Sequence, residues 1–120
     1  MAQNFQDLMV WQRAMEMTVS TYRLTQGFPR QEVYGLTSQM RRAAVSVASN
    51  IAEGRGRITE GEFRQFLGLA QGSNCELQTQ ILVAKQLEMG NPDLLRDAQS
   101  LSIEVGKMLS GLIAALGAKS

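Results

Sequence analysis

The chain has 120 residues, 44% hydrophobic and 19% charged, enough to bury a core as one domain over 1–120 and too apolar for a disordered chain. Its 12 basic and 11 acidic residues leave a net charge of +1, so no global field draws the whole protein onto nucleic acid or anionic lipid. With no histidine and one cysteine, Cys75, the histidine-dependent triads, the usual zinc-ligand sets and an internal disulfide are excluded.

A cytoplasmic setting with no membrane role is expected. The N-terminal MAQNFQDLMVWQRAMEM is polar and charged throughout, unlike a signal peptide, and no stretch approaches the roughly 18 uninterrupted apolar residues of a membrane span.

The two prolines, Pro29 and Pro92, leave long stretches of good helix formers between them. In the first, Leu8, Trp11, Met15, Thr18, Val19 and Tyr22 recur at steps of three and four and predict a helix over about 7–26 with that face inward. Pro29 and Gly35 mark the connection that follows. A second helix is expected over about 37–53. Leu36, Met40, Ala43, Val47 and Ile51 lie on its buried face, and Gly54 sits where a C-terminal glycine belongs.

Thr59 and Glu62 have the spacing of a capping box and open a third helix, about 60–89, whose seam reads Phe63, Leu67, Ala70, Asn74, Leu77, Ile81 and Ala84. Asn74 is the one polar residue in that seam. Asn91-Pro92-Asp93 then supplies an N-cap, a proline at the first helical position and an acid in the first turn of a fourth helix over about 92–117. Four helices with short connections predict an all-α, antiparallel, up-down-up-down four-helix bundle.

Candidate functional residues concentrate on helices two and three. Gln39, Arg42, Ser46, Asn50 and Glu53 form a polar stripe beside the apolar face of helix two, while Val45, Ala48 and Ala52 form a second, small apolar strip. On helix three Phe66, Leu69, Ser73, Glu76, Gln80, Val83 and Leu87 make a stripe that is polar in its middle. In an antiparallel hairpin Ser73 and Glu76 come level with residues 39–42, which suggests an Arg42–Glu76 ion pair. The stripes read equally as a polar network at an interface (Gln39, Arg42, Ser46, Asn50, Glu53, Ser73, Asn74, Glu76) or as a solvated face.

Arg41, Arg42, Arg55 and Arg57 carry a local charge of +3 within 17 residues, and guanidinium forks suit phosphate, so they are the candidate nucleic-acid contacts. The sequence offers no arginine-rich run, RNP-like signature or aromatic stacking platform to accompany them. Trp11, Tyr22, Phe28, Phe63 and Phe66 are expected in the core or a buried interface, with Met40 and Met108 as fillers. No catalytic residue, metal ligand set or cofactor site stands out, and Cys75 reads as a packing residue. Apolar residues in excess of one bundle's core favour self-association.

DLMVWQRA (Asp7 to Ala14), Phe28-Pro29, Glu32 with Tyr34-Gly35-Leu36, QMRRAAVSVASNIAEG (Gln39 to Gly54), Phe63 with Phe66-Leu67, and Ala70 through Gly72-Ser73 to Glu76-Leu77 resemble the bacterial four-helix bundle family. That family includes the intervening-sequence proteins found inside some 23S ribosomal RNA genes. The resemblance runs from about Phe5 to Leu87, the fourth helix matching in character alone. It implies a ring, typically a homopentamer, without catalytic activity. It is also similar in fold to the accessory variability proteins of diversity-generating retroelements, which bind nucleic acid and are strongly basic; a net charge of +1 departs from that pattern.

The expected function is a non-enzymatic, ring-forming binding protein associated with 23S rRNA or the ribosome. Arg41, Arg42, Asn50, Glu53, Ser73 and Glu76 stand at motif positions, with a structural and interfacial role first and RNA contact second. Arg55 and Arg57, at the motif's edge, are better placed for phosphate. The alternatives are an adaptor for a protein partner and a metal-dependent phosphodiesterase using Glu53 and Glu76.

Overall fold

Each helix begins where a side chain can satisfy free backbone N–H groups or where the chain has already turned. The computed structural model describes residues 4–118. Asn4 caps a short 3-10 turn at Phe5–Asp7, and Leu8 leads into α1, Met9–Gln26. A second 3-10 turn at Arg30–Glu32 precedes α2, Leu36–Arg55, whose first amide at Leu36 donates to Glu32 Oε1.

The capping box of Thr59 and Glu62 forms in full and opens α3, Glu60–Gln86. Asn91 Oδ1 accepts from the amides of Asp93 and Leu94 at the head of α4, Pro92–Gly117. Among the described residues there is no strand.

Two helix ends depart from the expected boundaries. Gly54 does not end α2, which continues to Arg55; it is buried within the helix. A Cβ at Gly54 would lie 2.6 Å from Phe66 Cβ and 3.3 Å from the Phe63 carbonyl, so this glycine serves the close approach of α2 to α3. The third helix stops at Gln86, three residues early. Met89 N–H reaches back to the Ala84 carbonyl and Glu88 N–H to that of Lys85, with Glu88 in the left-handed region at φ 55°. This is a Schellman closure with glutamate where glycine is usual.

Contacts across each pair of neighbours run in opposite sequence directions, which defines an antiparallel bundle about 46 Å long and 20 Å across. Gly54 faces Phe63 and Phe66 while Ser46 faces Ser73. Arg64 reaches the Ile113 carbonyl while Asn74 reaches that of Ser102. Thr18 touches the Ala44 carbonyl while Arg41 reaches Thr25. Arg13 bonds Glu104 across α1 and α4, each partner within 2.8 Å, and first Glu104, then Glu16, holds its guanidinium charged above the ordinary value.

The core matches the expected seams on α2 and α3: Met40, Ala43, Val47 and Ile51 meet Phe63, Leu67, Ala70, Leu77, Ile81 and Ala84. On α1 the opposite face turns inward. Val10, Ala14, Met17, Thr21 and Leu24 are buried, and the expected seam is left at the surface, with Met15, Val19 and Tyr22 exposed and Trp11 half-buried. The inward face is aliphatic, with Met17 and Leu24 fully buried, while the aromatic Trp11 and Tyr22 lie on the outer side. Thr21 and Thr25 are tolerated there because their hydroxyls donate to the Met17 and Thr21 carbonyls of the preceding turn.

The fourth helix contributes Leu95, Ala98, Ser102, Val105 and Leu109 to the core. By length and composition it also reaches the apolarity of a membrane-spanning helix, with a mean hydropathy of 1.3 over its most apolar window, although Glu104 and Lys107 interrupt the run.

Candidate functional site

The stripes on α2 and α3 meet in part. Ser46 and Ser73 hydroxyls lie 2.9 Å apart, and Asn50 Nδ2 donates to both the carbonyl and the hydroxyl of Ser46. This three-residue cluster fixes the α2–α3 register. Gln39 stays exposed beyond it, and Glu53 turns to Arg57 at 3.0 Å. The Arg42–Glu76 ion pair is not formed: both residues are exposed, and neither makes an ion pair among the described residues.

Asn74 belongs to a different seam. Fully buried, it donates to the Ser102 carbonyl of α4 at 2.8 Å, flanked by Gln78 donating to the same oxygen and Gln71 donating to the Gly106 carbonyl. The row 71, 74, 78 is a set of amides rising along one side of α3. Sequence reading found Asn74 and missed its neighbours, whose spacing of three and four was the available signal.

The four candidate arginines separate into two places. Arg41 and Arg42 lie in the first turns of α2 and Arg55 and Arg57 at its end, about 20 Å away along the helix axis. Three of the four sit over aromatic rings: Arg41 over Tyr22 at 4.5 Å, Arg55 over Phe63 at 5.7 Å and Arg57 over Phe66 at 4.7 Å. Their availability differs. Phe63 is only 9% exposed and Arg57 is already paired with Glu53, whereas Tyr22 is 40% exposed. An aromatic surface beside an arginine pair therefore exists after all; it was invisible in the sequence because Tyr22 and Arg41 come from different helices.

Beside it runs an apolar groove between α1 and α2, lined by Trp11, Met15, Thr18, Val45, Ala48 and Ala52. A second apolar surface lies toward the end of α3, where Leu82, Val83 and Leu87 are exposed together. No group of three or more potential metal ligands occurs among the described residues.

Fold and surfaces together define an all-α bundle that presents basic, aromatic and apolar patches on its outer faces. The chain belongs to the 23S rRNA-intervening sequence protein family, whose profile matches residues 6–111. The match extends past Leu87, where the motif resemblance ended, and takes in most of α4. Among solved structures, a Bacteroides thetaiotaomicron VPI-5482 protein described as having unknown function and belonging to the S23 ribosomal protein family is similar, with a TM-score of 0.79 and 20% identity. The alignment covers 87% of this chain and 97% of that one, and it establishes the shared fold. No curated protein matches. Neither description names an enzyme.

Proposed function

We propose that the protein is a non-catalytic binding protein that assembles into a ring of identical copies, five by the family resemblance, and associates with ribosomal RNA or the ribosome. One observation carries the assembly: α1 leaves Met15 exposed and Trp11 half-buried over the groove they share with the exposed Val45 of α2, with Val19 exposed one turn further on. A second apolar surface lies on α3, away from that groove. Different surfaces on two sides of one protomer suit head-to-tail contacts, which close into a ring when the rotation between copies divides a full turn. Family membership and the α2 arginines support the RNA association.

Native mass spectrometry of the purified protein, with and without nuclease, tests both parts. The expected result is a multimer of defined size carrying RNA that nuclease removes. A monomer free of RNA at micromolar concentration overturns the proposal. A multimer that holds only nuclease-resistant protein partners supports the adaptor reading instead.

A further inference from the structure

Next to the apolar groove, with which it shares Val45, an open shelf of about 420 Å³ between α1 and α2 is lined by Tyr22, Arg41, Arg42, Val45 and Ser46. Arg41 is held rather than free. Its Nε donates to Thr25 Oγ1 at 2.8 Å, its Nη2 lies 3.4 Å from the Tyr22 carbonyl, and its guanidinium sits 4.5 Å over the Tyr22 ring. Arg42 next to it is exposed and makes no ion pair among the described residues. No carboxylate lines the shelf.

The two arginines thus have different chemistry. Arg41 and Tyr22 form a rigid, planar, partly exposed pair of the kind on which nucleobases stack, and Arg42 is a mobile guanidinium suited to a phosphate oxygen. A duplex presents a closed stack and cannot insert a base here; a single strand can.

From this geometry we infer that the shelf binds single-stranded RNA, stacking a base on the Tyr22–Arg41 pair and meeting the adjacent phosphate with Arg42. The inference rests on the RNA association proposed above and narrows it to one strand state and one surface. It assigns Arg41 to the stacking platform and Arg42 to the backbone contact, and adds Tyr22, a residue on no motif.

The test is a titration of the full-length protein with a fluorescein-labelled oligouridylate and with a duplex of the same length, across a salt series. The wild type is expected to prefer the single strand. Tyr22→Leu should weaken that binding about tenfold while leaving its salt dependence unchanged, and Tyr22→Phe, which keeps the ring, should bind like the wild type. Arg42→Gln should lower the slope of log affinity against log salt by about 0.7. Should Tyr22→Leu fail to fold, photo-crosslinking of 5-iodouridine RNA to the wild type replaces it, with the crosslink expected on the peptide containing Tyr22.

A preference for duplex, an unchanged affinity in Tyr22→Leu, or crosslinks confined to the Arg55–Arg57 end would overturn the shelf while leaving RNA association standing. Failure of the wild type to hold either RNA at low salt would overturn both.

Discussion

The two seams that α3 makes with its neighbours differ in balance: the one toward α2 has a polar contact, Ser46–Ser73, beside a very close approach, and the one toward α4 carries a row of amides. Toward α2 the approach is limited sterically: Gly54 lets a helix backbone come so close to Phe63 and Phe66 that a methyl group has no room, since it would meet the Phe66 Cβ, the edge of the Phe63 ring and the Phe63 carbonyl. Toward α4 the contact is polar: Gln71, Asn74 and Gln78 donate to carbonyls at Ser102 and Gly106, and the atoms nearest Gly106 are the ends of those amide side chains. Rigid atoms fix the α2–α3 distance and leave register to the Ser46–Ser73 contact, whereas the amides fix the α3–α4 register at several points, because each donor must meet a particular carbonyl.

The largest effect is expected from reversing the charge requirement of the polar seam. Asn74 is fully buried and its Oδ1 has no partner among the described residues, so Asn74→Asp would place a carboxylate against the Ser102 carbonyl with no donor to replace Nδ2. A loss of about 3 kcal/mol or more at pH 7 should follow. Burial raises the folded-state pKa of that carboxyl above its unfolded value near ~3.9, so the folded state keeps the proton longer. Stability of the variant should therefore be greatest below that value and fall as pH rises through the folded-state pKa. Urea melts between acid and neutral pH, at one protomer concentration, check this; a deficit independent of pH would show that the side chain reaches water.

A smaller loss, about 2 kcal/mol, is expected for Gly54→Ala. Helix propensity favours alanine by roughly 1 kcal/mol, but the clash with anchored atoms costs more than that, because helices must separate to relieve it. The reading is a fall in melting temperature of several degrees by circular dichroism. A rise would refute the close approach.

These seams also show what the amino-acid pattern could and could not reveal. The α3 seam from Phe63 to Ala84 was legible because one long helix repeats its burial at regular steps, and the Thr59 and Asn91 caps because their partners lie within three residues. The buried face of α1 was not, since both faces carry large apolar residues and the aromatic Trp11 and Tyr22 pointed to the outer one. Gly54 looked like a helix terminator because its true reason, Phe66, sits in the next helix. Glu88 gave no glycine signal for the left-handed turn that ends α3. At the candidate site the arginines were legible, but Tyr22 beside Arg41 and the absence of an Arg42–Glu76 pair depend on how helices face one another, which periodicity within one helix does not encode.

The finest discrimination between the seams comes from repeating the same substitution at Gly106. Here an added Cβ would meet Asn74 Nδ2 at 3.1 Å, Gln78 Nε2 at 3.3 Å and Gln71 Oε1 at 3.7 Å. All three are ends of side chains, and the Gln71 and Gln78 ends can each yield a few tenths of an ångström by small rotations along a flexible chain. The propensity gain of roughly 1 kcal/mol is then offset by slight lengthening of the amide contacts, so Gly106→Ala should change stability by no more than about 0.5 kcal/mol in either direction. One substitution would thus give a clear loss at Gly54 and almost none at Gly106, although both glycines lie inside helices at a packed interface. A loss at Gly106 equal to that at Gly54, measured side by side in urea, would mean that the amides are locked in place by their carbonyls, and the polar seam would then be as rigid as the steric one.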